Sequence, residues 1–284
     1  MENKKSEPVS DSTPSSKLNA KDFSANHLRP ILRTATVEQI EEEKRKEADR
    51  LEREIHIWKC KIWECLISSV GCRYAPARFE NYACKSPGQQ NAVDALIAYA
   101  DESANLDSGK GVMLYGPAGT GKDHLLIALA HKVIGKRRGD VLFNQQANCE
   151  TGRWYTPRGM KQQFSMEWLS GVEFYSALRS GMNNKNFDEE SFIYSFTSPA
   201  VLIISDPIPP RGSLTDYQAS MLLDVIDGRY RNRRTIWTTL NVATPREAEE
   251  RLTPQIVDRL KDGSICIHCN WPSHRKVEQN VITK

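Results

Sequence analysis

Val112-Met113-Leu114-Tyr115-Gly116-Pro117-Ala118-Gly119-Thr120-Gly121-Lys122 is the most informative stretch of this 284-residue chain. Four apolar residues lead directly into a glycine-rich turn that ends on a lysine. The spacing predicts a buried strand, a tight loop, and a helix beginning near Lys122. Glycines let the backbone turn so that successive N–H groups face one anion. The lysine adds a point charge, and the helix N-terminus adds its dipole. The ligand suited to this chemistry is a nucleoside triphosphate of the ATP type. Its contact set is Gly116, Pro117, Ala118, Gly119, Thr120, Gly121, Lys122 and Asp123. The position after such a lysine is normally Ser or Thr, whose hydroxyl ligates Mg²⁺. Here it is Asp123, so phosphate binding follows more directly than metal binding.

Further strand-like runs follow at Phe164–Trp168, Ala200–Ile204, Thr235–Leu240 and Ile265–Cys269, with helical patterns between them at Lys122–Ile134, Val172–Gly181, Asp216–Tyr230 and Arg246–Leu260. Thr215 with Gln218, and Thr244-Pro245 with Glu247, have the spacing of helix starts. Pro245 and Pro254 stand at first-turn positions. Alternation of this kind implies an α/β fold with a five-stranded parallel sheet covered on both faces. A phosphate loop on the first core strand makes it a P-loop NTPase sheet.

The second catalytic element of such a fold is an acid at the end of another buried strand, where it holds metal and polarises water. Val201-Leu202-Ile203-Ile204 is such a strand and ends in Ser205-Asp206, where two consecutive acids are usual. Asp123, Ser205 and Asp206 are thus the candidate Mg²⁺ ligands. A hydroxyl and a carboxylate have exchanged places between Asp123 and Ser205, which leaves the charge of the set unchanged.

Residues 1–35 are rich in Ser, Pro, Asn and Lys and poor in large apolar groups, which predicts a disordered tail. Residues 36–78 form a helical arm. Thr36 and Gln39 have capping-box spacing, and Leu51, Ile55, Trp58 and Ile62 make one apolar stripe on an otherwise charged helix. The stripe either packs back on its own domain or docks on a partner. Residues 79–284 form the nucleotide-binding domain. A polar insertion at 140–163 carries Arg153, Trp154, Tyr155, Arg158 and Lys161, a mixture suited to single-stranded nucleic acid or simply to a solvated surface.

The formal net charge of +3 does not by itself announce a nucleic-acid binder. No apolar run is long enough to span a bilayer, and residues 1–21 lack the apolar core of a secretory signal. Seven cysteines without framework spacing suit a reducing cytoplasm. Cys60, Cys65, Cys72 and Cys84 lack the close pairs of zinc sites, and Cys266 and Cys269 fall on opposite faces of a predicted strand.

An ordered set of motifs from Phe79 to Arg275 resembles the DnaC/IstB family of AAA+ ATPases, bacterial helicase loaders and transposition helpers. It comprises Phe79-Glu80-Asn81-Tyr82, the phosphate loop, Val201-Leu202-Ile203-Ile204-Ser205-Asp206, Asp224-Val225-Ile226-Asp227-Gly228-Arg229-Tyr230, Thr238-Thr239-Leu240-Asn241 and Asp258-Arg259-Leu260. The resemblance implies an AAA+ core. It makes Asp206 and Asn241 catalytic, with Asn241 sensing the γ-phosphate, and makes Arg259 a finger reaching the ATP of a neighbouring subunit. Arg275 is a candidate second sensor. It further implies ATP and Mg²⁺ as cofactors, an ATP-bound homo-oligomer, single-stranded DNA, and a replicative helicase or transposase engaged through the N-terminal arm. The expected function is a cytoplasmic helicase-loader-like ATPase in DNA replication. The alternatives are a nucleotide-binding adaptor without turnover and an IstB-like transposition helper.

Overall fold

The computed structural model describes residues 36–102, 104–137, 164–209 and 212–275. The predicted tail at 1–35 and the insertion at 140–163, with Trp154 and its neighbouring cations, lie outside the described residues.

Five strands form one all-parallel sheet: β1 (Val112–Tyr115), β2 (Met166–Ser170), β3 (Val201–Ser205), β4 (Thr235–Leu240) and β5 (Ile265–His268). Their order is β2-β3-β4-β1-β5. The crossovers carry α4 (Lys122–Lys136), α5 (Gly171–Met182), α6 (Glu189–Thr197), α7 (Asp216–Arg231), α8 (Pro245–Leu252) and α9 (Pro254–Lys261), and three further helices, α1 (Val37–Val70), α2 (Pro87–Asp101) and α3 (Ala104–Asp107), precede the sheet. β1 and β3 are buried along almost their whole length, as strands covered on both faces must be. Met113, Leu202, Ile204 and Leu240 join one core cluster with Phe174 and Leu178 of α5, Leu222 and Val225 of α7, and Ile256 and Leu260 of α9. α2 and α4 pack together, and α4 also meets β4. The expected α/β P-loop sheet is thus present, with β1 and β4 starting and ending where the sequence predicts.

One predicted helix is two. The run Arg246–Leu260 breaks at Thr253, whose φ is 134°. Pro254 has no N–H to continue the ladder and fits the first position of a new helix. The Thr253 hydroxyl then caps it by accepting from Ile256 N at 3.4 Å. α2 is a helix the periodicity reading passed over. Ser86 caps it, Pro87 occupies its first turn, and Ala92, Val93 and Leu96 form its buried face.

The chain divides into two units, residues 1–53 and 54–284. In the first, the Thr36–Gln39 capping box forms in both directions, and Lys46 pairs with Glu42 one turn away. In the second, the part of α1 beyond Glu54 packs back on the domain. Ile55, Trp58 and Leu66 are buried, Lys59 Nζ donates to Gly135 O at 2.5 Å, and the Trp63 ring meets His131 edge-on. No helix among the described residues is long and apolar enough to cross a membrane.

Candidate nucleotide site

β1 hands its chain to the glycine loop through Gly116, whose N–H donates to Leu240 O at 3.2 Å. Gly121 caps α4 in the left-handed region, with φ 88°. A Cβ there would lie 2.7 Å from the Tyr82 ring, so both conformation and space demand glycine. Donors from distant segments take up carbonyl oxygens of the loop, Ser273 Oγ reaching Gly119 O at 3.4 Å among them. Tyr82 Oη reaches Thr120 O at 2.9 Å, Trp271 Nε1 reaches the same oxygen at 2.8 Å, and His274 N reaches Gly119 O at 2.8 Å. Peptide planes anchored through their carbonyls turn their N–H groups the other way, which is what an anion cradle requires. Behind this clasp, His274 Nε2 stands 3.0 Å from Gln89 Nε2 and 3.3 Å from Tyr82 Oη.

Lys122 is only 6 % exposed. Its ammonium donates to Gly116 O and Pro117 O, both at 2.8 Å. Burial pushes its pKa down, and the nearby Asp123 and Asp206 carboxylates pull it back up. A buried ammonium with two acceptors for three donors is poised to accept an oxyanion as the third. Ala118, Gly119, Gly121, Lys122 and Asp123 line a cavity of about 690 Å³ together with Asn241. Tyr74, Tyr82, His124, Thr239, His274 and Arg275 complete much of its wall.

Asp123 and Ser205 meet. Asp123 Oδ1 accepts from Ser205 Oγ at 3.0 Å and from Thr239 Oγ1 at 3.1 Å. Thr239 takes part because β4 lies between β1 and β3, with Thr239 in register with Ser205. Asp206 follows β3 in the left-handed region at φ 47°, strained for a residue with a Cβ. Its N–H donates to Thr239 O at 2.9 Å. Its carboxylate accepts from Asn241 Nδ2 at 2.6 Å and from Asn241 N at 3.3 Å. Burial raises the pKa of Asp206 and the Asp123 charge adds to the rise, while the Asn241 bonds and Lys122 oppose it.

Arg259 is not part of this constellation. Its Nε lies 3.3 Å from Asp227 Oδ1 and its Nη1 3.2 Å from Asp258, with the guanidinium 4.7 Å above the Tyr230 ring. It lines a second cavity instead. Among the described residues no grouping of three or more His, Cys, Asp or Glu could hold a metal ion, and Cys60, Cys65, Cys72 and Cys84 are free thiols. Tyr82 and Thr239 were visible as motif positions, but their bonds to the loop and to Asp123 were not. Trp271 and His274 carried no local signal of their role.

No family model matches the chain. It is 33 % identical over 87 residues to replication factor C subunit 3 of Oryza sativa subsp. japonica, a match that covers 31 % of this chain. It spans only about a quarter of that curated relative, 24 % of its length. Among solved structures it resembles the DnaC helicase loader, with a TM-score of 0.55 and 18 % identity, over 70 % of this chain and 99 % of that one. It also resembles DnaI, with a TM-score of 0.51 and 15 % identity, over 72 % and 94 % of the two chains. At such identities the likeness is one of architecture, and the fold this chain shares with both structures is the α/β P-loop fold described above.

Proposed function

We propose that this protein is an ATP-hydrolysing switch of the helicase-loader type, acting in DNA replication as an ATP-bound homo-oligomer. The observation that carries this reading is the bonded Asp206–Asn241 pair at the ends of β3 and β4, with Asn241 opening on the same cavity as Lys122. The N–H groups of residues 116–123 hold the phosphates, and Lys122 supplies its charge at the β- and γ-phosphates. Asp206 orients the attacking water, and its raised pKa makes it a better proton acceptor than a solvated aspartate. Asn241 links that carboxylate to the γ-phosphate. Arg259 of a neighbouring copy stabilises the charge that develops on the transferred group, which requires it to leave Asp227. Residues 36–78 serve as the arm that engages a helicase or another protein partner, with residues 79–284 as the ATP-binding domain.

The residues suit Mg²⁺. Asp123, Ser205 and Asp206 offer only hard oxygen donors, and two carboxylates with a hydroxyl match a cation that draws its remaining ligands from water and phosphate. Bound there, Mg²⁺ would neutralise phosphate charge. The exchange of acid and hydroxyl between Asp123 and Ser205 preserves the donor set, and their direct bond puts both at one place. A second reading, an adaptor that binds nucleotide without turnover, is favoured by that same bond. Two hydroxyls already occupy Asp123 Oδ1, and an acid beside a triphosphate repels it.

The test is a mixing experiment. Arg259→Ala and Lys122→Ala proteins, each inactive alone, should regain part of the ATP turnover when combined, because some interfaces then pair an intact loop with an intact arginine. A mixture that co-assembles and stays inactive overturns the trans role of Arg259.

A further inference from the structure

Asp227 and Arg231 stand one turn apart at the C-terminal end of α7, acid before base, the order in which a helical pair interacts best. Arg231 Nε donates to Asp227 Oδ2 at 2.9 Å, with most of the arginine in solvent. The other oxygen of the same carboxylate is taken from a different helix. Arg259 Nε, on α9, donates to Asp227 Oδ1 at 3.3 Å. One negative charge is thus shared between two guanidinium groups.

Arg259 has two further contacts. Its Nη1 donates to Asp258 Oδ2 at 3.2 Å, and its guanidinium lies 4.7 Å from the centre of the Tyr230 ring. The ring is pinned in turn, because its hydroxyl donates to Asp262 Oδ2 at 2.8 Å. Arg259 is therefore set in one place, with only 38 % of its side chain exposed. It is also held lightly. A partly exposed ion pair of this kind contributes little, and breaking it leaves Asp227 with Arg231 rather than alone. Lys110, Arg233 and Arg234 line the same cavity as Arg259, so the potential there favours an incoming polyanion over a carboxylate already shared.

We propose that Asp227 is a positioning residue for Arg259. It parks the guanidinium on the Tyr230 ring while the chain is alone, and releases it when the triphosphate held by a neighbouring copy comes within reach. On release Asp227 keeps Arg231, so no carboxylate is stranded. Because phosphate must displace the carboxylate, Arg259 engages only where a neighbour carries nucleotide. The inference rests on the trans role of Arg259 given above, but the parked contact belongs to the single chain.

The test makes two measurements on the full-length protein. Dilute, nucleotide-free protein is treated with phenylglyoxal, which modifies accessible guanidinium groups. The rate at Arg259 is read by peptide mass spectrometry against Arg246, which pairs with Glu250 on α8. Asp227→Asn should speed modification of Arg259 about two- to fivefold, the contribution of one exposed ion pair, and Asp227→Glu should return it toward the wild-type rate. ATP turnover is then followed against protein concentration. Asp227→Asn should reach half-maximal turnover at a concentration about two- to fivefold lower. An unchanged modification rate in Asp227→Asn would overturn the parking. So would turnover that falls at every concentration, since Asp227 would then support the engaged arginine rather than restrain the idle one. Faster modification alongside an Arg259→Ala protein of normal turnover would instead sink the trans reading and leave Arg259 parked by Asp227.

Discussion

Among the described residues two cations lie deep, Lys122 at one end of the sheet and Arg229 toward the other, and both are bonded to backbone carbonyls. Arg229 is wholly buried. Its two terminal nitrogens donate to Phe196 O and Pro199 O at 2.9 Å, Ala200 O at 3.1 Å and Thr235 O at 2.6 Å. These carbonyls belong to the end of α6, the turn before β3 and the start of β4, so one side chain on α7 fastens all three. Burial lowers its pKa, but the ring of carbonyls solvates the charge in place of water. Lys122 has two such carbonyls and an open cavity in front of it. Arg229 leaves only its buried Nε without a partner; a buried cation ringed by carbonyls in this way holds structure together, whereas one that faces an open cavity is set for a ligand.

Truncating each cation to methionine should separate these roles. Arg229→Met orphans several buried carbonyls and should remove at least about 3 kcal/mol of stability, read as a lowered denaturant midpoint. Lys122→Met should leave that midpoint within about 1 kcal/mol, since it also removes a desolvated charge. It should lower ATP affinity about 10- to 100-fold in a calorimetric titration, the worth of a charged hydrogen bond. Equal unfolding of both variants would erase the contrast.

Asp123 and Ser205 sharpen the ligand-facing side. If they form an exchanged metal site, Asp123→Thr alone should weaken Mg²⁺-dependent ATP binding about tenfold and leave Mg²⁺-free binding little changed. Adding Ser205→Asp should restore it, a coupling of about 1 kcal/mol or more. Tighter ATP binding by Asp123→Thr would favour the adaptor reading.

The smallest effect is expected at Asp206. Burial holds its folded pKa above the ordinary value, so the ionised carboxylate is penalised by folding. That penalty is complete above the raised pKa and vanishes below the unfolded one. Asp206→Asn should therefore melt slightly higher than wild type near pH 7, while losing turnover. The advantage should shrink as pH falls through the raised pKa. An advantage that grows on acidification would contradict the burial of this group.

Much of this was legible in the sequence because it is local. The glycine loop, the strand before it, the helix that begins at Lys122 and the Thr215 capping box depend on residues a few positions apart. The Thr253–Pro254 break was also written locally, yet the apolar period of Arg246–Leu260 continues across it and conceals it. What could not be read was long-range. The burial of Arg229 follows from carbonyls some 30 positions upstream, and nothing in Asp227-Gly228-Arg229-Tyr230 distinguishes it from the exposed Arg231. The participation of Thr239 in the bond between Asp123 and Ser205 required the strand order.

The clasp on the glycine loop has a consequence for biosynthesis. Thr120 is held by Trp271, 151 positions further along the chain. A ribosome adding about 5–20 residues each second leaves the loop without that partner for roughly eight to thirty seconds. The cradle is therefore completed late, when β5 has paired with β1 and delivered Trp271 and His274 to it. A nascent chain halted before Trp271 would carry every residue of the glycine motif and the Tyr82 bond to it, and still lack the bonds from Trp271 and His274.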